Sequence, residues 1–327
     1  ALEAIKHRGT CAGEVRTFID ERFRINLAGR HCPITDLTEK GRQPISYEDG
    51  DCWIVMDGEI FNYRELRRLL NSEGYAFKSD SDAEVALAAY CRWGTKCLKY
   101  FRGMYAICIY HHSRRRFFMA RDPVGVKPLY FINHPERFRA GSEVRQLLFS
   151  SEVKPQLNNR MLYYYLSTGL CRKGAQTLWH DVYELPPGHY IDEQLDQWIP
   201  GKPLQAYYWF KYNFEIDEKL EIRDTAAEYR RLFDETLREQ LHHDYPVGYR
   251  LSGDLNSAIN VLSATNNARD KIPKTYSLTS DNNYPDNLKL VELLRRSVKT
   301  DETLVEFKNR DFLLEYDKMI YCNDFPL

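Results

Sequence analysis

The sequence has no surplus of charge of either sign: 46 Lys and Arg stand against 47 Asp and Glu, a formal net charge of −1. That removes the global field by which a protein draws nucleic acid or an anionic membrane to itself, so neither is an expected partner. It also lacks any apolar run near the roughly 20 residues that span a bilayer, and its first residues show no signal-peptide pattern. None of the eight cysteines, Cys11, Cys32, Cys52, Cys91, Cys97, Cys108, Cys171 and Cys322, forms a C-x-x-C pair. No metal site is therefore expected, and a reducing cytoplasm is the expected compartment. Cys52 and Cys108 sit in strand-like apolar runs and read as buried small hydrophobes. No internal repeat is evident. At 327 residues, 43 % of them hydrophobic, the chain is long enough for two domains with cores of their own.

What is present is organised around Met56–Leu66. Trp53-Ile54-Val55-Met56 is apolar and β-branched, the signature of a buried strand. Tyr63, Leu66, Leu69 and Leu70 fall at helical spacing, with Asn62 placed to cap that helix. Asp57-Gly58-Glu59 is thus expected as a strand-to-helix turn, its glycine admitting a close backbone approach and its carboxylates able to receive an ammonium or an amide. Taken alone, acidic residues with glycine at such a place are usually only a turn.

Further stretches follow in order: Ser81-Asp82-Ala83-Glu84-Val85, strand-like 103–110, Arg121-Asp122-Pro123-Val124-Gly125-Val126-Lys127-Pro128-Leu129-Tyr130 and Gly141-Ser142-Glu143-Val144. Ser81 to Glu84 reads as a capping box opening a helix. The segments 103–110, 116–121 and 128–132 read as antiparallel strands. Arg121-Asp122 is expected as an ion pair or turn anchor rather than a catalytic pair. Gly141-Ser142-Glu143 should cap a helix through Leu147 and Leu148, and Leu162–Leu166 reads as helical core packing rather than a base-stacking surface.

With His7-Arg8-Gly9 at its head, this series resembles the class II glutamine-amidotransferase domain of the asparagine synthetase family. The resemblance implies an N-terminal-nucleophile-type αββα sandwich over 1–165 with two antiparallel sheets. In the family, a cysteine that is the first residue attacks glutamine, with its own α-amine as base. The sequence opens on Ala1, and Cys11 follows the His-Arg-Gly motif, so no catalytic residue is assigned. Where the family has a carboxylate-binding arginine this chain has His31, with Arg30 beside it as the substitute. The family's oxyanion asparagine is Asp57 here, and losing one such donor costs about 2.7–4 kcal/mol of transition-state stabilisation. Arg30, Asp57, Gly58, Glu59 and Asp82 are the expected glutamine-like pocket.

Proline and glycine thicken over 167–223, and Leu185-Pro186-Pro187-Gly188-His189-Tyr190 resembles the family's hinge. The expected organisation is an amidotransferase-like domain over 1–185, a linker over 186–223 and a partial synthetase-like domain over 224–327. A helix fits Thr225–Leu241, a strand fits Pro246–Leu251, a helix fits 286–297 and a strand fits 303–307. The whole is therefore α+β followed by α/β with a partial parallel sheet. Ser252-Gly253-Asp254-Leu255-Asn256-Ser257-Ala258 resembles the family's pyrophosphate loop, Ser-Gly-Gly-x-Asp-Ser-Ser. Leu251, Ser252, Gly253, Asp254, Asn256, Ser257 and Leu278 are the nucleotide positions the resemblance implies. Asp254 puts a negative charge where phosphate belongs, and Asn256 is a poorer magnesium ligand than a carboxylate. Without the family, Gly-Asp-Leu-Asn-Ser is a turn with a helix cap.

Two readings stay open on these residues. One is a catalytically degenerate relative acting as a binding or assembly module, with no cofactor, an amino acid as ligand and a homo- or hetero-oligomer as its setting. The other is an active ATP- and magnesium-dependent, glutamine-hydrolysing amidotransferase with its missing parts outside this chain or on a partner.

Overall fold

The structure, a computed structural model, describes residues 1–9, 11–30, 34–149, 155–216, 221–241, 246–267, 272–280 and 288–323. It divides into two compact units, Ala1–Asn213 and Phe214–Tyr321. None of the described helices is long and apolar enough to cross a membrane.

The first unit is built on strands β4 (Cys52–Ile60) and β5 (Gly103–His111), paired antiparallel over their full nine residues, Cys52 opposite His111 and Ile60 opposite Gly103. Alternation along them sorts side chains to two faces, as strand geometry requires. Ile54, Met56, Ile60, Tyr105, Ile107 and Ile109 go to one face, where α1 (Tyr63–Ser72) and α2 (Asp82–Trp93) cover them with Leu66, Leu70, Val85, Ala86 and Ala89. Each fully buried side chain of this kind contributes about 1.5–3 kcal/mol. The sheet continues through β3 (Ile45–Tyr47) on one side and β6 (Arg116–Arg121), β10 (His189–Gln194) and β11 (Ala206–Tyr208) on the other.

On the opposite face, Ala106 of β5 and Met119 of β6 pack against Phe131 of a second antiparallel sheet. That sheet has the order β8 (Arg137–Gly141), β7 (Tyr130–His134), β9 (Tyr183–Glu184). Helix α3 (Val144–Leu148) covers its outer face, with Val144 and Leu147 against Tyr130 and Ile132. A hairpin of β1 (Glu14–Ile19) and β2 (Arg24–Gly29) adds Leu27 to Tyr110 and Leu195. The layers are helix, sheet, sheet, helix, as the motif order implies.

Four local expectations change. Asp57-Gly58-Glu59 is not a turn but lies inside β4, opposite Ala106, Tyr105 and Met104. The glycine serves the ladder: Gly58 has φ +125°, and a Cβ there would stand 2.0 Å from the Met104 carbonyl oxygen. Asn62 holds the N-cap position of α1 without a capping bond; its amide donates to the Tyr100 carbonyl and its oxygen accepts from the Arg102 N–H. Helix α4 (Asn159–Thr168) is not core, because Tyr163 is 76 % and Leu166 74 % exposed and only Met161 is buried. The stretch expected as a linker contributes β10 and β11 to the main sheet, so the first unit extends to Asn213.

The second unit alternates helix and strand: α5 (Ile222–Gln240), β12 (Gly248–Arg250), α6 (Leu255–Asn267), β13 (Lys274–Ser280), α7 (Leu288–Ser297), β14 (Asp301–Phe307) and α8 (Asn309–Cys322). The three strands pair in parallel in that order, the arrangement that helical crossovers dictate. Leu251, Val261 and Val291 form its small buried core.

Gly58→Ala should unfold the first unit at markedly lower urea, with a loss above about 3 kcal/mol, because the backbone must move to admit the methyl group. Gly74→Ala meets nothing within 4 Å at φ +93° and carries only the conformational cost, about 1–2 kcal/mol. Tryptophan fluorescence is the readout, since Trp53, Trp93, Trp179, Trp198 and Trp209 all lie in the first unit. Equal midpoints for the two variants would refute the close approach.

Candidate functional site

The end of β4 meets the start of α2 through one carboxylate. Ser81 opens α2 by accepting the Ala83 N–H. The expected return bond from Glu84 is not made: Glu84 instead accepts from the Lys78 and Ser79 amides and the Ser79 hydroxyl. Asp82, the first residue of the helix and 4 % exposed, is thereby held under β4. Its carboxylate accepts the Ile60 N–H at 2.8 Å and the Thr35 hydroxyl at 2.9 Å. Burial, with the Glu59 charge adding to it, pushes the Asp82 carboxyl up to about 6 despite those two bonds.

Asp57 is engaged differently. Arg8 Nη2 donates to its Oδ2 at 2.6 Å, and Lys127 Nζ lies 3.4 Å from its Oδ1. Burial works to raise this carboxyl, but Arg8, Lys127 and a Ser142 hydrogen bond hold it below the ordinary carboxylate range. Arg8 also reaches Glu143 at 3.3 Å, and Glu143 is met by His7 Nε2 at 2.7 Å and Arg145 Nε at 2.9 Å. Four cationic or ionisable donors thus surround two carboxylates contributed by β4 and the N-cap of α3.

The loop after β6 supplies Lys127. Asp122 accepts the amides of Val124, Val126 and Lys127, the last at 3.0 Å. Arg121 is buried, 2.7 Å from Glu184, and donates to the carbonyls of Gly125, Lys127 and Leu185. Arg121 and Asp122 are therefore a structural anchor, as the sequence suggested.

Of the expected pocket, Glu59 and Asp82 meet where β4 ends over α2, Gly58 lies between them and Asp57 in the ladder, and Asp57 is held by Arg8 and Lys127 instead. Arg30 does not join them: its guanidinium contacts the Cys11 carbonyl and Glu3, each at 3.4 Å. His31 lies outside the described residues. Arg8, Lys127 and Glu143 were not among the expected site residues, although each stands in a motif that points here. A cleft of about 1150 Å³ in the first unit is lined by Leu27, Val55, Tyr110, Phe117, Phe138 and Trp198 and contains none of these carboxylates.

In the second unit the loop 252–258 sits between β12 and α6, beside a cleft of about 470 Å³ lined by Tyr249, Arg250, Ser252, Asp254 and Ser257 among others. Gly253 takes φ +82°, and Leu251 is anchored by the Tyr276 carbonyl and the Ser277 hydroxyl. Asp254 turns back onto its own loop. One oxygen accepts the Ser257 N–H at 2.7 Å and the other the Ser252 hydroxyl at 2.6 Å. Those bonds, the Ser252 hydroxyl first, hold its carboxyl below the ordinary value. Asn256 is exposed in the first turn of α6, and Leu278 lies in β13. Of the expected positions, Ser252, Asp254 and Ser257 are brought together in the loop by these bonds.

An αββα sandwich with these motifs, followed by a parallel sheet with a glycine loop at a helix start, is the architecture of a class II glutamine-amidotransferase-type domain joined to an α/β unit. Residues 1–209 match the family described as glutamine amidotransferase domain, and residues 228–327 match the one described as asparagine synthase. The chain belongs to the asparagine synthetase family. Among its relatives, the glutamine-hydrolysing asparagine synthetase 1 of Bacillus subtilis is 29 % identical over 99 % of this chain and 49 % of its own length. The glutamine-hydrolysing asparagine synthetase 3 of the same organism is 30 % identical over 75 % of this chain and 40 % of its own length. The chain spans about half the length of the curated relatives it matches.

Asp82 yields a pH signature. Its carboxyl is raised from 3.8 to about 6 on folding, so the folded state holds a proton that the unfolded chain releases between those values. Stability from this group is full below about pH 3.8 and is lost as pH rises through about 6, by about 3 kcal/mol in all. Asp82→Asn cannot titrate, so its stability relative to the unsubstituted chain should rise by most of that amount between pH 4 and pH 7. Urea unfolding at both pH values measures this, and a pH-independent difference would show that Asp82 is not raised.

Proposed function

We propose that this chain is a degenerate asparagine-synthetase-family protein whose nucleotide loop is closed by its own Asp254, leaving it an amino-acid-binding or assembly module. The observation that carries this reading is the pair of bonds from Asp254 to the Ser257 amide and the Ser252 hydroxyl. A helix N-terminus binds phosphate through unmet amides. Here one such amide is met by a carboxylate, which also repels the incoming anion. Asn256, on the same turn, offers magnesium a neutral oxygen instead of a charged one.

In the first unit, the buried Asp82 beside Glu59 supports recognition of an ammonium, and Arg8 and Lys127 support recognition of a carboxylate. Those are the two ends of a free amino acid such as glutamine. With Asp57 in an ion pair, its side chain gives no N–H to an oxyanion, which supports weak binding without turnover. The compartment that fits this reading is the cytoplasm, and assembly into homo- or hetero-oligomers belongs to it.

A second reading, an active glutamine-hydrolysing amidotransferase using ATP and magnesium, is favoured by the printed names of the relatives and by the match of both units. Calorimetric titration with ATP–magnesium separates the two. The unsubstituted chain should show no binding, Asp254→Gly should gain some, and Asp254→Gly with Asn256→Asp should bind more tightly than either single change. Micromolar binding by the unsubstituted chain would overturn the closed-loop reading.

A further inference from the structure

We propose that Glu48, Asp51 and His111 form a binding site for a divalent cation of the zinc class, at the end of the β4–β5 ladder away from Asp57. His111 closes β5 opposite Cys52 and is 1 % exposed. Its Nε2 points into the cluster, 3.0 Å from Asp51 Oδ2 and 3.9 Å from Glu48 Oε2. One donor atom from each of the three residues lies within 4.8 Å of the others. Tetrahedral zinc, with bonds of about 2.0–2.2 Å to nitrogen and oxygen, sets its donors about 3.3–3.5 Å apart. The observed separations bracket that value, so small side-chain movements suffice.

Two further features separate this cluster from an exposed acidic patch. The imidazole is buried, and its other nitrogen, Nδ1, has no hydrogen-bond partner among the described residues. Every polar contact that the structure gives this ring is therefore made by Nε2 inside the cluster. The Asp51 carboxylate is itself fixed from outside: the Ser113 N–H donates to Oδ1 at 2.8 Å and the Ser113 hydroxyl to Oδ2 at 2.6 Å. Outer bonds of that kind orient a ligating carboxylate and are a regular part of metal sites. A nitrogen donor with two carboxylates suits zinc better than magnesium or calcium, which take oxygen alone. Glu48, the exposed member, leaves the fourth position to water.

The site would tie the turn before β4 to the end of β5, and so clamp the central strand pair. Cysteine spacing cannot reveal it, because its donors come from positions 48, 51 and 111 and none is a thiol.

The test is titration of the full chain, stripped of metal with chelator, with zinc(II) alone. One saturable site per chain is expected, along with a higher urea midpoint for the first unit once it is filled. Glu48→Gln and Asp51→Asn should each weaken binding about tenfold or more, and His112→Gln, at the exposed neighbour, should leave it unchanged. His111→Gln should abolish it; if that variant fails to fold, the exposed Glu48→Gln decides. Cobalt(II) in place of zinc should give no thiolate charge-transfer band. Absence of saturable binding, binding unaffected by Glu48→Gln and Asp51→Asn, or a thiolate band would each overturn the proposal.

Discussion

A carboxylate removed from water must be met by a cation or by hydrogen-bond donors, and this protein is built around that requirement. Asp57 is met by Arg8 and Lys127, Glu143 by His7, Arg8 and Arg145, and Asp82 by the Ile60 amide and Thr35. Glu184 is met by Arg121, and Asp122 by three amides of its own loop. These pairings carry the tertiary arrangement. Arg8 fastens the first turn of the chain to β4 and to the cap of α3. Asp122 shapes the loop that delivers Lys127, and Arg121 joins β6 to β9. Removing one partner from the fully buried Arg121–Glu184 pair costs about 3–5 kcal/mol.

The same requirement bears on function. A pocket whose acidic and basic groups are already matched binds a charged ligand only by exchange, so the gain is the difference between two sets of contacts. Under the proposed function, an incoming ammonium would compete in the first unit with the donors that satisfy Asp82, and a carboxylate would compete with Asp57 for Arg8 and Lys127. Under the proposed function, phosphate would compete with Asp254 for the first turn of α6 in the second unit. Fold and internal satisfaction are compatible, while fold and tight ligand affinity are not assured by each other.

The sandwich, the parallel sheet and the positions of most strands were legible because apolar alternation along 103–110 and 116–121 and the helical stripes are strong periodic signals. Gly58 misled: glycine after an aspartate reads as a turn, yet here it lets two strands approach within a continuous ladder. Leu162–Leu166 misled for a related reason, since an apolar aromatic run does not show whether anything covers it. The segment 186–213 is rich in proline and glycine but still holds β10, which pairs with the distant β6, and the three-residue β11, which pairs with β10. Arg8, Lys127 and Glu143 escaped because their meeting brings together three segments far apart in the chain: the first helical turn, the loop after β6 and the cap of α3. At Asp254 the charge was legible and its bonds were not.

The central claim is that Asp254 answers the start of α6 and leaves no place for phosphate. Nitrogen-15 labelling of serine lets the Ser257 amide report this directly. Its proton shift should titrate with Asp254, with a midpoint below the ordinary aspartate value, and should stay in place when ATP–magnesium is added at neutral pH. A Ser257 amide that ignores the titration, or that moves saturably with ATP–magnesium, would contradict the account.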